Sequence, residues 1–318
     1  MAYALLDSRD IVAGFYPRYE AELEGQWAMS VGMEIPSDHE TENYKFLGMT
    51  AGLRQWLGGR QEMALNRFTY QLTNQIYEST LAIPVDDLRR DKTGQLMVRV
   101  ADMASKASQH WNSLMSTAIS ANGNCYDGTA FYGTSHAESG TNQKNLLTSS
   151  EVGALDIVTA TAPTANEAAL ALVGVIGWFF SLTDDQGDPA NGEARKFLVQ
   201  VGTPALWGPM LQAVTLNNLT SGGLTISNPL FGLIQGKGIS VEVQLNPRLS
   251  SLTTNFFVHR MDGVIKPFVR QNEVDLQTQL IGAGSEEEFK NNRHLFGIKT
   301  VRAAGYGDWK HSLKATFS

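Results

Sequence analysis

The sequence predicts an α+β chain, and three observations carry that prediction. Apolar side chains alternate with period two over residues 68–85 and again over residues 239–245, the pattern of half-buried strands. They recur at helical spacing over about residues 92–122 and residues 168–180. The two kinds of segment follow one another in mixed order, which argues against a doubly wound parallel sheet. With 42% hydrophobic residues in 318, the chain has enough apolar mass for a globular core. A compact monomer of 34.8 kDa would expose about 13,000 Å².

Taken in order, residues 1 to about 35 open with an amphipathic patch of Ile11, Val12, Phe15, Tyr16, Tyr19 and Leu23, interrupted by Pro17. That predicts an arm with a short helix. Residues 37–67 are polar and scatter Tyr44, Phe46, Met49, Leu53, Trp56 and Leu57 without a period. Such a stretch cannot bury those side chains within itself and needs a partner surface. In the alternating segment Tyr77, Ser79, Leu81, Ile83 and Val85 fall on one face, and Ile76, Glu78, Thr80 and Ala82 on the other. Pro84 cannot donate to a ladder, so it belongs at an edge or a strand end.

The strongest periodicity follows: Leu96, Met97, Val100, Met103, Ala104, Ala107, Trp111, Leu114, Met115, Ala118 and Ile119, with Gly123 placed as a stop. One uninterrupted helix of about 29 residues would be roughly 43 Å long and would need an elongated body. A polar loop over residues 123–150 leads to the helix of residues 168–180, started by a Thr164/Glu167 capping box. Gly174 and Gly177 weaken that helix, so packing must hold it. A strand over residues 196–201, a helix over 204–215 with proline at its start, and the strand of 239–245 complete the middle. Strands over residues 255–260, 264–271 and 294–305 are expected at the end, with a turn at Glu286, Glu287 and Glu288.

Charge and motifs narrow the function. Twenty-five basic against 32 acidic residues give a net charge of −7, which excludes a nucleic-acid coat held by a global basic surface. The single cysteine, Cys125, excludes an internal disulfide and a metal site built from several thiolates. Residues 1–10 lack the basic start of a secretory signal, and residues 168–180 are too short to span a bilayer. Gly133, Thr134, Ser135, His136 and Ala137 imitate the serine setting of subtilisin-like proteases, but no matching His or Asp segment precedes them. Cys125 and His136 form at most a weak thiolate pair; a polar turn and a small packed thiol account for both. Residues 232–237 fall one residue short of a phosphate loop and predict a turn between strands. Asp184, Asp185 and Asp188 predict a solvated turn. The six histidines have no ligand-spaced pair, so no zinc site and no cofactor is expected. Asp86, Asp87, Arg89 and Arg90 allow two readings, a solvated helix start and a set of ion pairs to another chain.

Several segments carry a family likeness. YESTLAIPVDDLRRDKTGQLMVRVADMASKASQHWNSLMS (77–116) resembles the major head subunit of Mu-like bacteriophages, where an extended loop feeds a spine helix. SDHETENYKFLGMTAGLRQWLGGRQ (37–61), CYDGTAFYGTSHAESGTNQKN (125–145) and FKNNRHLFGIKTVRAAGYGDWKHS (289–312) are similar to the same family, about half of the chain in all. The resemblance implies the Hong Kong 97-type capsid fold: N-terminal arm at 1–36, extended loop at 37–85, peripheral domain with spine helix at 86–147, axial domain at 148–252, and closing peripheral strands at 253–318. It implies a non-enzymatic subunit that assembles as hexamers and pentamers into an icosahedral head around packaged double-stranded DNA, in the virion, after assembly in the host bacterial cytoplasm. Expected partners are other copies, a separate scaffold protein, portal and decoration proteins, and unspecifically enclosed DNA; no membrane is involved. The expected interface residues are Phe46, Met49, Arg54, Trp56, Leu57, Arg60, Asp86, Asp87, Arg89 and Arg90. The alternatives are a tail or tube protein, and a hydrolase using Ser135 or Cys125. An assembly subunit should also expose well above the compact-monomer area.

Overall fold

A computed structural model describes residues 8–44, 70–90, 94–138, 141–184 and 187–318. The chain enters through α1 (Ser8–Leu23) and α2 (Trp27–Val31), then β1 (Gly32–Pro36), β2 (Thr41–Tyr44), β3 (Tyr70–Thr73) and β4 (Gln75–Pro84). Helices α3 (Val85–Arg90), α4 (Gln95–Ser108) and α5 (His110–Ala121) follow, then short strands β5 (His136–Glu138), β6 (Thr141–Gln143) and β7 (Leu146–Leu147). The middle holds α6 (Ala165–Ser181), β8 (Lys196–Val201), α7 (Pro204–Thr215), the hairpin β9 (Asn218–Ser221) and β10 (Leu224–Ser227), α8 (Pro229–Lys237) and β11 (Ser240–Leu245). The chain closes with β12 (Asn255–Arg260), β13 (Phe268–Ile281), α9 (Glu286–Asn291), β14 (Arg293–Tyr306) and β15 (Ser312–Thr316).

Two sheets organise these elements. A four-stranded sheet runs β1-β13-β14-β4, with β1 parallel to β13 and the other pairs antiparallel. Pro84 ends β4, the edge strand, as its missing N–H requires. The alternation of β4 also holds: Ile83 is buried, whereas Ile76 on the opposite face is 67% exposed. A five-stranded mixed sheet runs β11-β8-β12-β15-β7. It takes strands from both sides of residue 252, because β12 pairs antiparallel with β8 and with β15. Helices α6, α7 and α8 bury their apolar faces in the core beside this sheet, through Leu172, Ile176, Phe179, Leu206, Met210 and Leu230. A smaller cluster of Phe15, Ile83, Val100, Ala104, Ala107, Phe296 and Ile298 joins α1 and α4 to the four-stranded sheet.

The capping box of α6 is present, with Thr164 Oγ1 accepting from the Glu167 N–H and Glu167 receiving the Thr164 N–H. Gly174 explains its presence in that helix: a Cβ there would meet Val152 Cγ1 at 2.4 Å.

Several expectations need correction. The single long helix is two helices, α4 and α5, meeting at Gln109. Ser108 Oγ donates to the Ser105 carbonyl at 2.8 Å, a back-bond that bends helices, and the apolar stripe passes there from the small cluster to the large core. Asn122, not Gly123, takes the left-handed closing position, and its side chain bonds both backbone groups of Tyr132. Gly123 serves a close approach instead, since its N–H donates to Tyr306 Oη at 2.6 Å and a Cβ would lie 3.2 Å from that ring. Helix α1 runs through Pro17, held by Phe15 against Tyr19 and Phe296. Residues 232–237 lie in α8 rather than a turn, and Glu286, Glu287 and Glu288 open α9, capped by Ser285. Strand β13 begins at Phe268, four residues after the expected start, and Val264 stays 96% exposed. Asp184 is in a turn as expected but is buried.

The chain exposes 16,679 Å², above the compact-monomer value of about 13,000 Å². Among the described residues no helix is long and apolar enough to cross a membrane.

Candidate functional site

An assembly protein works through its surface, so the candidate site is a set of exposed faces. Phe46, Met49, Arg54, Trp56, Leu57 and Arg60 lie outside the described residues. Asp86, Asp87, Arg89 and Arg90 fall on α3, the junction between β4 and α4. Both aspartates occupy its first turn, where the helix dipole favours them. Asp86 is half-buried and accepts from Asn292 Nδ2 at 3.4 Å, a contact within the chain. Asp87 and Arg90 are exposed, and the Arg89 side chain lies outside the described set.

The long ladder keeps apolar surface uncovered: Ile76 on β4, Ile281 on β13, and Phe289 at 91% exposure on α9. An ion pair ties α9 to the root of β14, Arg293 to Glu287 at 2.6 Å, and His294 Nε2 lies 3.5 Å from a Glu288 carboxylate oxygen. On the five-stranded side, Trp207 and Leu211 lie one helical turn apart on the exposed face of α7, near the exposed Leu216 that follows it.

Between β4 and α4 lies a cavity of about 350 Å³ lined by Tyr77, Leu81, Met103, His110, Ile298 and Arg302. Burial, then the Arg302 charge, pushes His110 down to about 4, so it is a neutral ring. It meets Tyr77 edge-on at 4.4 Å, and Arg302 lies over Trp111 at 4.8 Å.

The hydrolase alternative finds no supporting geometry. His136 is wholly buried, with Nδ1 2.6 Å from Asp127 Oδ2 and Nε2 3.2 Å from Asn145 Oδ1, so neither ring nitrogen is left for the exposed Ser135. Cys125 Sγ donates to Asp127 Oδ1 at 3.0 Å, so a carboxylate stands between thiol and imidazole. Burial and that carboxylate push the thiol up, opposite to what a nucleophile needs. Sequence reasoning had Cys125 and His136 but missed Asp127 and Asn145. The available signal was the polar trio Cys125, Asp127 and His136 enclosing the buried Phe131 and Tyr132.

Comparison with known proteins agrees with the likeness read from the sequence. The profile of the family described as Mu-like prophage major head subunit gpT matches residues 10–158. The Mu-like prophage FluMu major head subunit of Haemophilus influenzae is 27% identical over 118 residues, which is 35% of this chain and 38% of that protein. Among solved structures, the procapsid of bacteriophage JBD30 aligns over 98% of this chain and 77% of its own, at TM-score 0.54 and 16% identity. The mature capsid of bacteriophage PhiM1 aligns over 92% of this chain and 86% of its own, at TM-score 0.55 and 10% identity. Residues 10–158 are thus similar to the Mu-like major head subunit family, and the chain has the α+β fold of phage capsid proteins.

Proposed function

We propose that the chain is the major capsid subunit of a Mu-like phage head. The observation that carries this reading is the match of residues 10–158 to a head-subunit family, set in a fold shared with capsid proteins over nearly the whole chain. The work is assembly, not bond chemistry. Copies associate head to tail, so the rotation between neighbours closes rings of five or six, and the rings close an icosahedral shell around double-stranded DNA. A net charge of −7 suits a wall that encloses DNA without binding it. Scaffold, portal and decoration proteins are the proposed partners, with assembly in the bacterial cytoplasm and the virion as destination.

In this reading residues 1–36 form the arm, 37–85 the extended loop, and 86–147 with 253–318 the peripheral domain. Residues 148–252 form the axial domain, whose β8 pairs with β12, which in turn pairs with β15. The extended loop reaches a neighbour and buries Phe46, Met49, Trp56 and Leu57, while Arg54 and Arg60 join Asp86, Asp87, Arg89 and Arg90 in ion pairs between copies. Each exposed pair contributes little, but the pairs repeat around every ring.

Negative-stain microscopy of the chain coexpressed with its scaffold tests the proposal. Closed shells are expected; open tubes, or chains that stay monomeric, would sink it. A Trp56→Ala variant with an unchanged circular dichroism spectrum should assemble fewer shells. Normal assembly by that variant would remove Trp56 from the interface.

A further inference from the structure

The loop after α5 contains a cluster that the assembly reading does not use. Cys125 Sγ, an Asp127 carboxylate oxygen and a His136 ring nitrogen lie within 4.8 Å of one another. Cys125 is 3% exposed, His136 is 0% exposed, and the Asp127 side chain only 10%. Asp127 is the hinge of the group: Oδ1 accepts from Cys125 Sγ at 3.0 Å and from the Thr129 N–H at 2.9 Å, and Oδ2 faces His136 Nδ1 at 2.6 Å.

The far side of the imidazole is fixed independently. Asn145 Nδ2 donates to the carbonyls of Phe131, Trp309 and Ser312, which sets the amide's orientation. Asn145 Oδ1 therefore faces His136 Nε2, while also accepting from the Gly133 N–H. Nε2 must carry a hydrogen, and Nδ1 is the atom turned to the carboxylate. An imidazole whose outer N–H is held by an oxygen while the other nitrogen faces a cluster is how metal-ligating histidines are oriented.

Bound to an ion as thiolate, carboxylate and imidazole, the three donors carry two negative charges, which one divalent cation cancels, so the loaded site adds no net charge to the protein interior. Sulfur, nitrogen and carboxylate oxygen together are zinc donors. Ligand bonds of about 2.0–2.3 Å at tetrahedral angles place donors roughly 3.3–3.6 Å apart. The contacts at 3.0 and 2.6 Å, one to each Asp127 oxygen, would open by up to ~1 Å, the cysteine-to-histidine separation, within 4.8 Å, would adjust around the ion, and the second Asp127 oxygen or a water would complete the shell.

We propose that Cys125, Asp127 and His136 form a structural binding site for a zinc-like divalent cation. Its position gives it a role: His136 stacks on Trp309 at 4.2 Å and 11°, so the ion would staple the loop after α5 to the segment leading into β15.

The untagged full chain, kept reduced and titrated with Co²⁺ alone, tests this. One equivalent should bind with tetrahedral visible bands and a sulfur-to-cobalt charge-transfer band, and Zn²⁺ should displace it. Cys125→Ser should lose the charge-transfer band, and His136→Gln should bind at least about tenfold more weakly. His39→Gln, an exposed position elsewhere, should bind as the parent does. Absence of any band in the parent chain overturns the proposal without recourse to variants. A charge-transfer band that persists in a folded Cys125→Ser chain overturns it as well.

Discussion

The two sheets differ in how they are held. The five-stranded sheet is packed against α6, α7 and α8, and its strands β8 and β12 are buried almost throughout. The four-stranded sheet is covered by α1 and α4 through a much smaller cluster, and the outer half of β13 alternates between half-buried and exposed residues. A thick core makes a fixed platform, whereas a thin layer over a long ladder can flex and still leaves apolar residues for another chain. Under the proposed shell function, that division would separate the part that holds its shape from the part free to adapt to neighbours.

The contrast is broken most directly in the thick core. Phe257 on β12 is fully buried and lies 5.3 Å from the Tyr132 ring. Phe257→Ala should destabilise the whole chain by about 3–5 kcal/mol, read as a lower midpoint in urea unfolding. A shift confined to the four-stranded sheet would mean that the two regions do not differ in this way.

Acid gives a second, smaller lever on the same region. Burial pushes His259 on β12 down to about 3, and its Nδ1 contacts Ser312 Oγ at 2.9 Å. The ring is neutral when folded and titrates at its ordinary value when unfolded. Stability is therefore complete above that ordinary value, 6.5, and is lost progressively as pH falls from there toward the folded value of about 3. His259→Gln should flatten this acid limb in melts between pH 7 and pH 4. An unchanged slope would place the acid sensitivity elsewhere.

The thin layer should respond locally. Ile83→Ala removes a buried side chain that packs with Val100, Phe296 and Phe15. About 2 kcal/mol is expected, at the low end for such truncations because a thin layer can collapse onto the space. Amide exchange should accelerate in α1, α4 and β4 while β8 and β12 keep their protection. Uniform acceleration would show one cooperative unit.

The same contrast explains what the sequence disclosed. Segments with one dominant environment were legible: β8, β12 and α7 start and stop where their patterns do, because a buried strand or one-sided helix carries its period in its residues. The α4–α5 break was hidden because the apolar stripe from Val100 through Ile119 stays continuous while its partner changes at Gln109. The Asp127–Asn145 network carried only a faint signal for a related reason. Polar residues in a loop show no period, and only the fold brings Trp309 and Ser312 to them. Residues 232–237 misled because their glycines suggest a turn, whereas Asn228 and Pro229 start a helix through the Asn228 side chain, which accepts from the Leu230 N–H at 3.0 Å.

The smallest expected effect tests how far the platform depends on its edges. Thr164 caps α6 through the box with Glu167, at an exposed end of a helix whose far side is fully buried. Gly174 and Gly177 lower the intrinsic propensity of that helix, so the cap and the packing divide the work of holding it. If packing dominates, as the thick core implies, Thr164→Ala should cost only about 1 kcal/mol, the ordinary value for a lost N-cap. The helix would keep its length, and amide exchange would rise only at Glu167 and its neighbours in the first turn. A loss approaching that of Phe257→Ala would mean that α6 needs its cap to form at all. The platform would then be held by local signals as much as by burial, and the difference between the two sheets would be one of degree.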